Sequence, residues 1–150
     1  MRAAAIVGTG ALGQNPLAMI ELDRPRLRGG QVLLKVLACG VCHTELDQIE
    51  GRLAPPHLPI VPGHQIVGEV VERAADAGRF EIARRVGVTW LHWSCGRCDY
   101  CRAGRRNLCD SARWTGHDVN GGYAEYAVAC EKFAWPIPDQ FSDTTAAPPF

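Results

Sequence analysis

The sequence predicts a mainly β domain: a partly open barrel of short strands, with short helices and a four-cysteine metal site. Three observations lead there. Short β-branched runs recur between turn residues, as half-buried strands require. Ten prolines and sixteen glycines punctuate the chain too often for long helices. Four cysteines crowd between Cys95 and Cys109. Several short strands are most economically closed as a partly open barrel, which protects their edges.

At 150 residues and 47% apolar content, one domain with a sizeable core is the default. Sixteen basic and sixteen acidic side chains cancel, so the chain carries no charge footprint for nucleic acid or an anionic membrane. Met1 to Val7 is too short an apolar run for a signal peptide. No run of eighteen apolar residues could span a bilayer. Seven cysteines, an odd number in metal-like spacing, fit a reducing compartment, and the cytoplasm is the expected location.

Taken in order, Gly8-Thr9-Gly10-Ala11-Leu12-Gly13 matches a dinucleotide fingerprint, which has meaning only if a helix follows at once. Pro16 falls in the first turns of that helix, so the alternative is a glycine-rich turn joining two strands of a hairpin. Gln31 to Ala38 predicts a strand after the turn at Gly29-Gly30. Val41 to Ile49 predicts a short helix with Thr44, Glu45 and Gln48 as its polar face and Gly51 past its end. Ile66 to Glu72, Val86 to Leu91 and Tyr123 to Val128 are further strand candidates.

Cys95, Cys98, Cys101 and Cys109 carry the strongest chemical signal. Thiolates around a tetrahedral Zn²⁺ lie about 2.3 Å from the metal, hence roughly 3.8 Å from one another. Two-residue spacers bring the first three together, and the excursion through Gly104 returns Cys109 as the fourth corner. Four sulfurs leave no open position, so such a site is structural. Disulfides are the alternative, but spacing this close strains them.

A second constellation is split along the chain. Cys39-Gly40-Val41-Cys42-His43-Thr44-Glu45 offers thiols, an imidazole and a hydroxyl, and Pro62-Gly63-His64-Gln65 offers a second imidazole. A catalytic zinc needs three protein ligands and one open position, and a Cys plus a His from these two separated segments could supply two of them. Alternatively Cys39 and Cys42 form a redox pair and His64 is a hydrogen-bonded loop histidine.

These residues, followed by the four-cysteine lobe and Gly121-Gly122-Tyr123-Ala124-Glu125-Tyr126, resemble the zinc-dependent medium-chain alcohol dehydrogenases from about Pro25 to Phe150. The resemblance implies a GroES-like partly open β-barrel spanning residues 1–150, with a structural-zinc lobe at 93–112. It implies that Cys42 and His64 bind a catalytic zinc, that Cys95, Cys98, Cys101 and Cys109 bind a structural one, and that His43 reaches the pyrophosphate of NAD or NADP. Thr44 would hydrogen-bond the substrate oxygen, Asp47 would end the proton relay, and Trp90 and Leu53 would line the substrate pocket. Cys39 becomes a buried strand-end residue and Cys130 has no evident role. The expected partners are a small alcohol or aldehyde and other copies of the chain, with no nucleic acid or membrane.

Three departures from the family pattern stand near the catalytic site. Gln65 follows the ligand histidine where relatives often have Glu, lowering the negative charge around the metal. Glu45 replaces Asp, and Asp47 replaces a relay histidine. The third zinc ligand and the nucleotide-binding domain of the family lie beyond a stretch like Ala146 to Phe150. The chain therefore reads as a C-terminally incomplete catalytic domain that would bind its catalytic metal weakly and would not turn over alcohol alone. Two other readings compete: a zinc-binding nucleic-acid module using Arg97, Arg102, Arg105 and Arg106, and a structural GroES-like module. On the enzyme reading those arginines offset the negative Cys₄ site. Trp93 joins Trp90 in suggesting an aromatic-walled pocket.

Overall fold

The computed structural model describes residues 1–14 and 16–148. Its centre is a five-stranded antiparallel sheet in the order β8-β3-β4-β5-β9. The strands are β3 (Gln31–Cys39), β4 (Ile66–Arg73), β5 (Arg85–Val88), β8 (Tyr126–Cys130) and β9 (Ala134–Pro136). Register shifts between Leu33 and Leu34, and between Val36 and Ala38, interrupt the β3–β4 ladder. Such bulges increase local twist and let a sheet curl. The curled sheet encloses a core built from Val32, Leu34, Ile66, Val70, Val86 and Val88. Alternate strand residues supply these side chains, and each contributes about 1.5–3 kcal/mol on full burial.

The amino-terminal strands β1 (Arg2–Ile6) and β2 (Leu17–Glu21) form an antiparallel hairpin. The glycine motif is its connection and contains only a short 3₁₀ turn, Leu12–Gln14. This is the hairpin alternative, and Pro16 accounts for it by ending any helix before a dinucleotide cradle could form. Single bridges, Ala3 to Ala124 and Ile6 to Ile60, join the hairpin to the rest of the barrel. Ile6 and Ile60 exchange both backbone bonds, at 2.8 and 3.1 Å.

The strand expectations hold with shifted ends. β3 and β4 each run one residue further than predicted, and the Tyr123 run becomes β8, beginning at Tyr126. The predicted Val86 to Leu91 strand is broken. β5 stops at Val88 and β6 (Leu91–Trp93) pairs instead with β7 (Arg113–Trp114) in a small separate ribbon. Thr115 makes the break, bonding the carbonyls of Trp90 (2.8 Å) and Thr89 (2.9 Å) and so re-aiming the chain toward the cysteine lobe.

Helices are short, as the glycine and proline content requires. α1 is His43–Ile49, α2 is Asp99–Arg102 inside the lobe, and α3 is Asp143–Ala146. The predicted polar face of α1 turns out to face the interior, with Glu45 (2% exposed) and Gln48 (0%) buried. Ala146 and Ala147 pack with Val67 and Ile137, whereas Pro149 and Phe150 lie outside the described residues. Among the described residues no helix is long and apolar enough to cross a membrane.

Candidate functional site

The four lobe sulfurs lie within 4.8 Å of one another, and they are the only group of three or more potential ligands so gathered among the described residues. Cys95 Sγ and Cys101 Sγ are 3.9 Å apart, close to the spacing of thiolates on one tetrahedral zinc. Every cysteine is free of disulfides. Local backbone explains the convergence. Cys98 caps α2, Cys101 lies within it, and Gly104 at φ +76° makes the left-handed turn that sends the chain back toward Cys109. The backbone N–H groups of Arg97 and Cys98 point at the Cys95 sulfur and pull that thiol down to about 6, favouring the thiolate a metal needs. Three of the arginines expected to offset the Cys₄ charge have other neighbours. Arg105 lies over Tyr100, Arg106 over Phe133, and Arg102 faces Asp99, while peptide dipoles serve the sulfurs.

The second constellation converges at the start of α1. Cys42 is the N-cap residue, and the Glu45 carboxylate folds back to accept its N–H at 2.7 Å. The other Glu45 oxygen touches His64 Nδ1 at 2.8 Å. That contact lacks the alignment of a full hydrogen bond, and neither atom has another partner. His64 is 6% exposed. A metal-binding imidazole typically presents its second nitrogen to a carboxylate, and Glu45 stands in that position, leaving Nε2 for a ligand bond. Thr44 Oγ1 lies 3.6 Å from Cys42 Sγ. The structure thus brings Cys42, Thr44, Glu45 and His64 together although the chain separates them.

Gly63 explains how His64 reaches this point. It has φ +94°, and a Cβ there would meet the Tyr123 ring at 2.6 Å and Cys39 Sγ at 2.9 Å. Cys39 fills the space behind the site as an inert thiol, pushed up to about 12 by burial and by the Glu45 charge. Gln65, the residue after His64, turns away and donates to the Pro148 carbonyl at 2.6 Å. The negative charge beside the candidate ligands therefore comes from Glu45, and Gln65 does not set it.

Trp90 meets the His64 ring edge-on at 4.8 Å and stacks on Trp114 at 5.6 Å, with His117 on a third side at 6.0 Å. Trp93, predicted to share the pocket wall, is 42% exposed on β6. It alternates away from the interior along a strand of period two. Leu53 lies on the turn after α1 with its N–H bonded to the Asp47 carbonyl. His43 projects outward with Nδ1 3.4 Å from Asp47. Asp47 is also gripped by Arg52 Nε at 2.6 Å, and this hydrogen bond holds its carboxyl below the usual range.

Sequence reasoning missed Arg52, Gln48, Trp114 and His117. Gln48 donates to the Gly116 carbonyl at 2.8 Å, docking α1 on the loop that carries His117. Both His117 nitrogens are enclosed without a hydrogen-bond partner. A buried glutamine opposite a glycine loop has no signature in a single sequence. The aromatic spacing of Trp90, Trp114 and His117 became meaningful only when the β6–β7 ribbon was seen.

The family described as alcohol dehydrogenase GroES-like domain matches residues 28–139. The chain therefore belongs to this family. An alcohol dehydrogenase of Geobacillus stearothermophilus is 41% identical over 138 residues, covering 91% of this chain. This chain spans only 41% of that relative's length. Among solved structures, an NAD-dependent alcohol dehydrogenase superposes with TM-score 0.89 at 29% identity, over 98% of this chain and 42% of the other. A cobalt- and zinc-bound thermostable alcohol dehydrogenase from Pyrobaculum aerophilum gives TM-score 0.87 at 30% identity, over 98% of this chain and 44% of the other. The barrel and its cysteine cluster are thus those of a GroES-like domain of the zinc-dependent medium-chain class.

Proposed function

We propose that residues 1–150 supply the metal-binding catalytic barrel of a zinc-dependent alcohol dehydrogenase, which interconverts an alcohol and an aldehyde or ketone with NAD or NADP. The observation that carries this reading is the Glu45 carboxylate, which accepts the Cys42 N–H and touches His64 beside the Trp90 ring. A purely structural module would gain nothing from a buried carboxylate held against a buried imidazole, since leaving such groups imperfectly paired costs stability.

In this reading Cys42 and His64 hold the catalytic zinc and Cys95, Cys98, Cys101 and Cys109 hold the structural one, within a lobe at 93–112. When bound, zinc supplies Lewis-acid polarisation of the substrate oxygen and the nicotinamide supplies the hydride acceptor or donor. The chain's own residues do the rest. Glu45 orients His64 and raises its basicity toward the metal. Thr44 Oγ1, beside Cys42 Sγ, accepts the substrate proton and hands it outward. Asp47 receives it at the surface, where Arg52 keeps that carboxylate ionised. His43 pairs with the cofactor pyrophosphate. Trp90 walls the substrate pocket against water, and Leu53 closes its rim.

The glycine motif, being a hairpin turn, offers no cradle for a nucleotide, so within this chain His43 is the residue assigned to the cofactor. These 150 residues span 41% of the length of the Geobacillus stearothermophilus relative, and turnover by them alone is not expected. We further assign it to the cytoplasm, on its free cysteines, and to a homo-oligomer, on the exposure of Val41 (79%), Met19 (68%) and Trp135 (50%).

The test is alcohol oxidation by the uninterrupted gene product with each nicotinamide cofactor. Cys42→Ala and His64→Ala should each abolish turnover while the structural zinc remains. Undiminished activity in His64→Ala would refute the assignment.

A further inference from the structure

Gln48 has no place in the chemistry above, yet it is fully buried near the end of α1. Its amide nitrogen donates to the Gly116 carbonyl at 2.8 Å, across 68 positions of sequence. Its amide oxygen is enclosed with no partner. For stability alone this is a poor choice, because an orphaned buried oxygen carries a cost that an apolar side chain of similar length avoids. What such a side chain could not supply is a directional grip on one carbonyl.

That carbonyl opens a strap, residues 116–123, that holds the loop before His64. Asn120 Oδ1 accepts the Val61 N–H at 3.0 Å. Gly121, Gly122 and Tyr123 donate to the carbonyls of Val61 (2.7 Å), Gly63 (2.8 Å) and Pro62 (3.1 Å). Gly116 presses on the same segment: at φ +76°, a Cβ there would lie 2.9 Å from the Gly63 nitrogen. The strap therefore sets the backbone that delivers His64, and Gln48 hooks α1 onto it.

α1 is thereby held at two directional points. Glu45 touches His64 Nδ1 at 2.8 Å, and one turn later on the same face Gln48 holds Gly116. Ile49 adds apolar packing with Ile6 and Ile60, which is non-directional and sets depth without rotation. A seven-residue helix gripped at one point can swing, and gripped at two it cannot.

We propose that Gln48 is a positioning residue for the reactive metal centre: by joining α1 to the strap it fixes Cys42, the N-cap of α1, relative to His64 on the strapped loop. The inference rests on the reading that Cys42 and His64 ligate one metal. Gln48 acts through others, by way of Gly116 to the Gly63 backbone and along α1 to Cys42 and Thr44. A misplacement of about 1 Å at such a centre lowers rates by about a hundredfold.

Gln48→Met keeps the length and removes the donor. It leaves the Gly116 carbonyl without this donor in place of the unpartnered amide oxygen, so thermal unfolding should stay near wild type. The uninterrupted gene product is loaded with Co²⁺, whose visible bands report ligand geometry, and Cys42→Ala identifies the bands of the Cys42–His64 centre. Gln48→Met should shift those bands, weaken that metal severalfold in chelator competition and lower kcat about tenfold with KM less affected. The lobe metal should be unchanged. Unaltered Cys42–His64 bands and affinity in Gln48→Met would overturn the positioning role. Loss of folding in both Gln48→Met and Gln48→Asn would also overturn it, assigning Gln48 to folding alone. If Cys42→Ala removes no bands from the wild-type spectrum, the ligand assignment itself is refuted, and the inference with it.

Discussion

Glu45 joins two residues that the sequence keeps apart, accepting the Cys42 N–H at 2.7 Å with one oxygen and touching His64 Nδ1 at 2.8 Å with the other. One buried carboxylate thus caps a helix and orients a candidate ligand. Glu45→Gln preserves size and the capping acceptor but removes the charge. It should weaken zinc at Cys42 and His64 by roughly 10–100-fold, as loss of such outer partners does elsewhere. Chelator competition measures this, and the tightly held lobe zinc should be unaffected.

Gly63 provides a separate test of the same geometry. Gly63→Ala places a Cβ against the Tyr123 ring and Cys39 Sγ at a left-handed φ of +94°. The strain and the clash together should cost more than about 1 kcal/mol of stability. Thermal unfolding reads the loss, and a Gly→Ala change at Gly78, which has open space around it, serves as the matched control.

Cys39 predicts a dependence on alkaline pH. Its thiol stands at about 12 in the folded chain against an ordinary value of 9.0. The folded state therefore holds this proton more tightly than the unfolded state. The resulting stability is fully present below pH 9 and is lost as pH rises toward 12. Cys39→Ala should flatten that alkaline decline in a denaturant series, though Tyr123, also raised by burial, retains part of it. Native Cys39 should resist alkylation at pH 8, where the thiolate is scarce.

The lobe has little packing of its own and is expected to depend on metal. Between Ser94 and Asp110 its buried residues are Ser94, Cys101 and Cys109, too few to form an apolar core. Removing zinc, or substituting Cys101→Ser, should therefore unfold residues near 93–112 while leaving the barrel strands paired. Hydrogen exchange should show protection lost in the lobe and kept in β3 and β4.

Much of this is legible in the sequence alone. The four-cysteine spacing, the strands at Gln31 and Ile66, and the helix after Cys42 follow from turn residues, β-branched runs and metal geometry. What resisted reading was long-range. The inward face of α1 looks like an ordinary polar surface, because Glu45 and Gln48 acquire partners only from His64 and Gly116. The break after Val88 depends on Thr115, many residues downstream. The glycine motif misleads in isolation, and Pro16 was the local clue to its hairpin.

The most direct measurement is zinc content with X-ray absorption on the reduced, chelator-free chain. The prediction is one tightly held zinc per chain with four sulfur neighbours at about 2.3 Å, and its loss in Cys101→Ser. Absence of zinc, or a first shell dominated by nitrogen and oxygen, would contradict the sulfur-bound centre on which the lobe and the enzyme assignment both rest.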